Sequence, residues 1–87
     1  MAMHNKGLTK LMEECGELIQ ICAKKSAYIN INQHPDGSSM KHRMEDEIAD
    51  VVAALTFVVE QFDLDVPYMD ERSQDKLALY EQWNSEE

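Results

Sequence analysis

Five carboxylates stand where chemistry is possible. Glu13, Glu14 and Glu17 crowd into the stretch LMEECGELIQ at positions 11 to 20, and Glu47 and Asp50 recur in EDEIADVV. Glu14–Glu17 and Glu47–Asp50 share an i, i+3 spacing, which on a helix puts two carboxylates about one turn apart, close enough to share or bridge a metal ion. Clustered carboxylates cannot all ionise at close range without help, and a divalent cation removes that cost. Oxygen-only ligands favour hard ions, chiefly Mg²⁺, with Mn²⁺ as the alternative. No histidine follows a glutamate at +3, so the Glu-x-x-His pattern of di-iron bundles is missing, which argues against redox iron.

The elements that must position these acids read as helices. Leu8, Leu11, Met12, Cys15, Leu18, Ile19 and Cys22 follow the i, i+3, i+4, i+7 rule, predicting a first helix from about Asn5 to Tyr28. NINQHPDGSS breaks the pattern with turn residues, and Ser38 or Ser39 is placed to cap a second helix. Met44, Ile48, Val51, Val52, Leu55, Val58, Val59 and Phe62 carry that helix from about Ser39 to Phe62. Its β-branched run DVVAALTFVV suits a strand locally, but its length and sustained helical period decide for helix. In DLDVP, Asp65 or Val66 can cap and Pro67 fits a first turn, so a third helix is expected from about Pro67 to Trp83. Its stripe is Met69, Tyr80 and Trp83, with Leu77 at the edge.

At 100° per residue, Glu14 falls roughly 90° from the centre of the first apolar stripe, and Glu17 roughly 150° to the same side. Glu47 and Asp50 fall roughly 80° and 140° from the second stripe, in the same rotational sense. A local two-fold relates antiparallel helices packed stripe to stripe, and it brings offsets of equal sense to one flank. Glu14, Glu17, Glu47 and Asp50 are therefore expected at one level of a helical hairpin, while Glu13 faces water.

At 87 residues the chain is one domain with a marginal core, a size at which a metal or a partner subunit commonly supplies the shortfall. Its net charge of -9 argues against a nucleic-acid partner and suits a protein that holds cations or meets a basic surface. Cys15 and Cys22 lie seven residues apart on one helix, about 10 Å, too far for a bridge within it. Buried free thiols are expected, which suit a reducing compartment. No apolar run is long enough to span a membrane and no signal-peptide core is visible, so a cytoplasmic location is expected. His4, His34 and His42 read as solvated surface.

EECGE followed by EDEIADV, with GELI and ADVV flanks, resembles the Glu-x-x-Glu, then Glu-x-x-Asp signature of the MazG-like all-α nucleoside triphosphate pyrophosphatases, relatives of dimeric dUTPases and of phosphoribosyl-ATP pyrophosphatase. The likeness covers roughly residues 8 to 62 and, more loosely, the third helix. It implies a single domain over residues 1–87 that hydrolyses a nucleoside triphosphate to the monophosphate and pyrophosphate with Mg²⁺. By position, Glu14, Glu17, Glu47 and Asp50 would be the metal ligands and the catalytic set, with one of them, Glu13 or Asp46 orienting the water.

An anionic substrate also calls for cations. Lys24 and Tyr28 continue the acid-bearing flank toward the loop, and Lys24 is the first candidate for phosphate contact. Arg72 and Lys76, on the helix where the family often places basic residues, are the second pair; the alternative is that they pair with acids or snorkel from the core edge. Phe57, Tyr80 and Trp83 offer faces for a base, although core or subunit contacts suit them better. The extra N-terminal helix of longer family members is missing, so two hairpins are expected to dimerise into a four-helix bundle, as a homodimer or homotetramer. The expected fold is therefore an all-α, three-helix chain with an antiparallel motif hairpin. Two other readings are an acidic helical module that binds a basic partner without catalysis, and a narrower phosphoribosyl-ATP pyrophosphatase or dUTPase-like enzyme.

Overall fold

Local capping chemistry marks where each helix begins. The computed structural model describes residues 5–27 and 39–86. Among these it contains α1 (Lys6–Ala27), α2 (Met40–Phe62) and α3 (Val66–Ser85), and no strand. At the start of α1, the Leu8 amide donates to Asn5 Oδ1 at 3.1 Å. Ser39 caps α2, its Oγ accepting from the His42 amide at 3.2 Å. Asp65 caps α3 in the same way, accepting from the Tyr68 amide at 3.0 Å, with Pro67 in the first turn where its missing N–H costs nothing. Helix α2 stops at Asp63, which adopts a left-handed conformation (φ 49°, ψ 52°). The Leu64 amide then reaches back to the Val59 carbonyl at 3.1 Å, closing a Schellman turn. Tyr28, Ser38, His4 and His34 lie outside the described residues.

Helices α1 and α2 pack along their length as a hairpin. Gly7 meets Phe57 and Gln61 at one end. Glu14 meets Asp50 further along, and Glu17 shares a cleft with Glu47 beyond that. Ile21, Met40, Val51, Ala54 and Val58 form the buried core, with Gly7 buried at the close end.

The seam between the helices is rotated from the line that hydropathy alone marks. On α1, Gly7, Leu11, Glu14, Leu18, Ile21 and Lys25 are buried or half-buried and at 100° per residue lie within about 40° of one line; Thr9, Cys15 and Gly16 are half-buried off that line. On α2, Met40, Met44, Glu47, Val51, Ala54 and Val58 do the same, again within about 40°, with Arg43 and Val59 half-buried to either side. Glu14 and Glu47 therefore sit in the seam itself, not on its flank. Met12 and Ile19, expected in the packing face, are 66% and 68% exposed. Cys22 is exposed and Cys15 half-buried, and neither forms a disulfide, which corrects the expectation of two buried thiols.

Small residues explain the rotation. A Cβ on Gly7 would come within 2.9 Å of the Phe57 ring, so the two backbones approach closely only because Gly7 has none. Ala54, also on this line, is buried. Closing the seam there turns Met12, Ile19 and Cys22 outward on α1, and Ile48, Val52 and Leu55 outward on α2. Both sets have the same rotational sense, so they merge into one apolar flank, opposite the flank that carries Glu17 and Asp50.

Helix α3 has no buried residue and forms no packed interface with α1 among the described residues. Only its first turn leans toward the end of α2, where Val66 and Met69 face Val52, Leu55 and Val59 across a groove. Leu77, Tyr80 and Trp83 are exposed, with the Tyr80 and Trp83 rings 5.4 Å apart. No helix of the described residues is long and apolar enough to cross a membrane.

Candidate metal and phosphate site

The hairpin brings Glu14 from α1 together with Glu47 and Asp50 from α2. One carboxylate oxygen from each lies within 4.8 Å of the others. Glu14 and Glu47 are half-buried in the seam, whereas Asp50 is exposed at its edge. Glu17 stands one turn from Glu14, outside this trio but electrostatically joined to it.

Two oxygens make the cluster unusual. Glu14 Oε2 and Glu47 Oε2 are buried and have no hydrogen-bond partner among the described residues. A buried polar atom without a partner is costly, and a buried carboxylate more so. The titration behaviour follows from the same geometry. The Glu14 carboxyl is held above its ordinary range by desolvation first, then by the charges of Glu17 and Asp50, with Lys10 pulling weakly the other way. Glu47 is raised by desolvation, then by Glu17, Asp50 and Glu14. These atoms are acceptors only when ionised, their neighbours are acids, and an oxygen-seeking cation satisfies them where a proton otherwise must.

On the loop side of the trio, Glu17, Gln20, Ile21, Lys24, Arg43 and Glu47 line a cleft of about 300 Å³. Lys24 thus shares a cleft with Glu17 and Glu47. Arg43 joins it from α2 and was not anticipated. Its signal was available, since it lies one turn before Glu47 on the same helix face. Lys10, also unanticipated, stands one turn before Glu14 and lines the cleft on the other side.

Other expected residues stand elsewhere. Arg72 occupies a recess with Tyr68, Glu71 and Asp75 on α3, so within one chain neither it nor Lys76 is carried to the acids by helix packing. Glu13 faces solvent, paired with Lys10 at 2.9 Å. Asp46 lies 3.6 Å from the exposed His42 ring. Neither outer acid has a place in the trio. No family model matches this chain, and no curated protein or solved structure matches it.

Proposed function

We propose that the protein is a Mg²⁺-dependent nucleoside triphosphate pyrophosphohydrolase, with Glu14, Glu47 and Asp50 holding the metal and Glu17 beside them. The observation that carries this reading is the pair of buried, unpartnered oxygens on Glu14 and Glu47. An acidic surface patch that served only solubility would keep its carboxylates in water. The donor set is all oxygen, which fits Mg²⁺ or Mn²⁺. When bound, the ion supplies charge neutralisation at the phosphate oxygens and acidifies water at its surface.

The chain's own residues do the rest. Lys24 and Arg43 receive the anionic pyrophosphate end in the loop-side cleft. Glu17 lies between that cleft and the trio, and accepts the proton of the attacking water. Water adds to the α-phosphorus, the α–β anhydride bond breaks, and pyrophosphate leaves toward the two cations. The motif likeness, GELI and ADVV included, supports the same reaction.

Assembly belongs to the same reading. The apolar flank of Met12, Ile19, Ile48, Val52 and Leu55 is exposed among the described residues. A second hairpin laid on it completes a four-helix bundle, as a dimer or a pair of dimers.

The test is pyrophosphate release from a panel of canonical and modified nucleoside triphosphates, with Mg²⁺ and with chelator. Release that requires the metal is the expected result. Silence across the panel would favour a non-catalytic acidic module instead.

A further inference from the structure

On the side of the acids away from the loop, the seam opens into a cleft that the hydrolytic chemistry leaves unused. Its near section, about 360 Å³, is lined by Glu14, Asp50, Lys10, Ala53, Ala54 and Phe57. Its far section, about 260 Å³, is lined by Lys6, Gly7, Lys10, Ala54 and Phe57. We infer that this cleft seats the base of the nucleoside triphosphate, with the Phe57 ring as its stacking face. The inference rests on the pyrophosphohydrolase reading and adds the direction in which the substrate lies.

The chemistry changes along the cleft as a nucleotide does. Carboxylates that bind metal stand at one end, an ammonium group comes next, and an apolar floor lies beyond it. Lys10 is paired with Glu13 at 2.9 Å, but both side chains are more than half exposed, so the pair is weak and readily exchanged for a phosphate oxygen. From Asp50 to Phe57 the helix rises about 10 Å, which leaves room for a sugar and a base beyond a phosphate held at the acids. An apolar cavity of about 150 Å³ accepts a benzene ring, so the far section has space for a heteroaromatic base. On the opposite side of the acids the lining is polar, with Gln20, Lys24 and Arg43. The base therefore points toward Phe57 and the terminal phosphates toward the loop.

Phe57 needs an explanation in any case. Its ring is 56% exposed. It lies on the same flank as Asp50, two turns on, and apart from Ile48, Val52 and Leu55, so a second hairpin on the apolar flank does not cover it. Gly7 holds it in place: a Cβ there would fall 2.9 Å from Cδ1 and Cε1 of the ring. The missing side chain lets the ring lie close to the α1 backbone while it still lines both sections of the cleft.

The experiment compares Phe57→Ala and Phe57→Trp with the wild type, in Mg²⁺, using the best nucleotide of the panel and inorganic tripolyphosphate as a competitive inhibitor without a base. Phe57→Ala is expected to raise KM roughly ten-fold or more while kcat changes less, since base stacking on an aromatic ring is lost. Inhibition by tripolyphosphate is expected to stay the same, and Phe57→Trp to restore the wild-type KM. An unchanged KM in Phe57→Ala, or an equal loss of tripolyphosphate inhibition, would overturn the base seat while leaving the enzyme reading intact. A wild type that releases no pyrophosphate from any nucleotide would overturn the enzyme reading and the seat with it.

Discussion

Glu14 and Glu47 are the residues on which the proposed chemistry turns, because each buries a carboxylate oxygen that nothing in the described chain satisfies. Their titration yields a prediction for the metal-free protein. Both carboxyls are raised in the fold, through desolvation first and then neighbouring acids. The folded state thus holds protons that the unfolded chain has already released. That contribution to stability is complete below the ordinary glutamate value, about 4.3, and is lost as pH rises through the raised values. In chelator, the melting temperature of the wild type should fall with rising pH more steeply than that of a Glu14→Gln, Glu47→Gln double variant. Parallel curves would mean that the two carboxyls are not strained. Adding Mg²⁺ at neutral pH should raise the wild-type melting temperature and leave the double variant unmoved.

Among the elements, caps are local and were legible, whereas helix rotation is not local and was only half legible. The sequence offers Ser38 or Ser39 before the second helix and Asp65 or Val66 before the third, and the side chains of Ser39 and Asp65 form the caps. Ser39→Ala should cost about 1 kcal/mol of stability, read by chemical denaturation. A change near zero would show that the start of α2 is held from elsewhere. Rotational offset and height placed Glu14, Glu17, Glu47 and Asp50 at one level of a hairpin, and three of them, Glu14, Glu47 and Asp50, converge, with Glu17 outside the trio. Hydropathy nevertheless put the seam on Met12 and Ile19, because a stripe centre weights every apolar residue equally. It has no means of separating the side chains that meet within the hairpin from those that face outward. The choice is made by Gly7, which lets the backbones close, and a glycine carries almost no weight in such a pattern. Arg43 escaped notice for a related reason: it is polar, so it falls outside the stripe, and only the position of Glu47 marks its face. Gly7→Ala should lower the melting temperature by forcing Phe57 and Gln61 to move, and an unshifted melting curve would show that the close approach is not tight.

The whole molecule exposes more surface than its mass requires. The chain presents 7151 Å², against roughly 5,200 Å² for a compact monomer of this size. Its radius of gyration is 16.1 Å, where about 12 Å is usual for this length. Among the described residues, the apolar flank of the hairpin is exposed and α3 buries no residue. Association into a four-helix bundle would cover the apolar flank. Light scattering should therefore give a mass at least twice the 10.0 kDa of one chain, and Val52→Asp should dissociate it by placing a charge in the contact. A monomeric wild type would rule out the bundle while leaving the site within the chain intact.

Seam carboxylates that hold a metal, and a hydrolysis that requires it, stand or fall together in one assay. Pyrophosphate release from a nucleoside triphosphate in Mg²⁺ is followed for the wild type beside Glu14→Gln and Asp50→Asn, each confirmed folded by circular dichroism. The wild type should turn over only with the metal, and each variant should lose at least about 100-fold, more than the loss of an outer partner usually costs. Release that persists in chelator, or survives at full rate in both folded variants, would contradict the proposed metal chemistry.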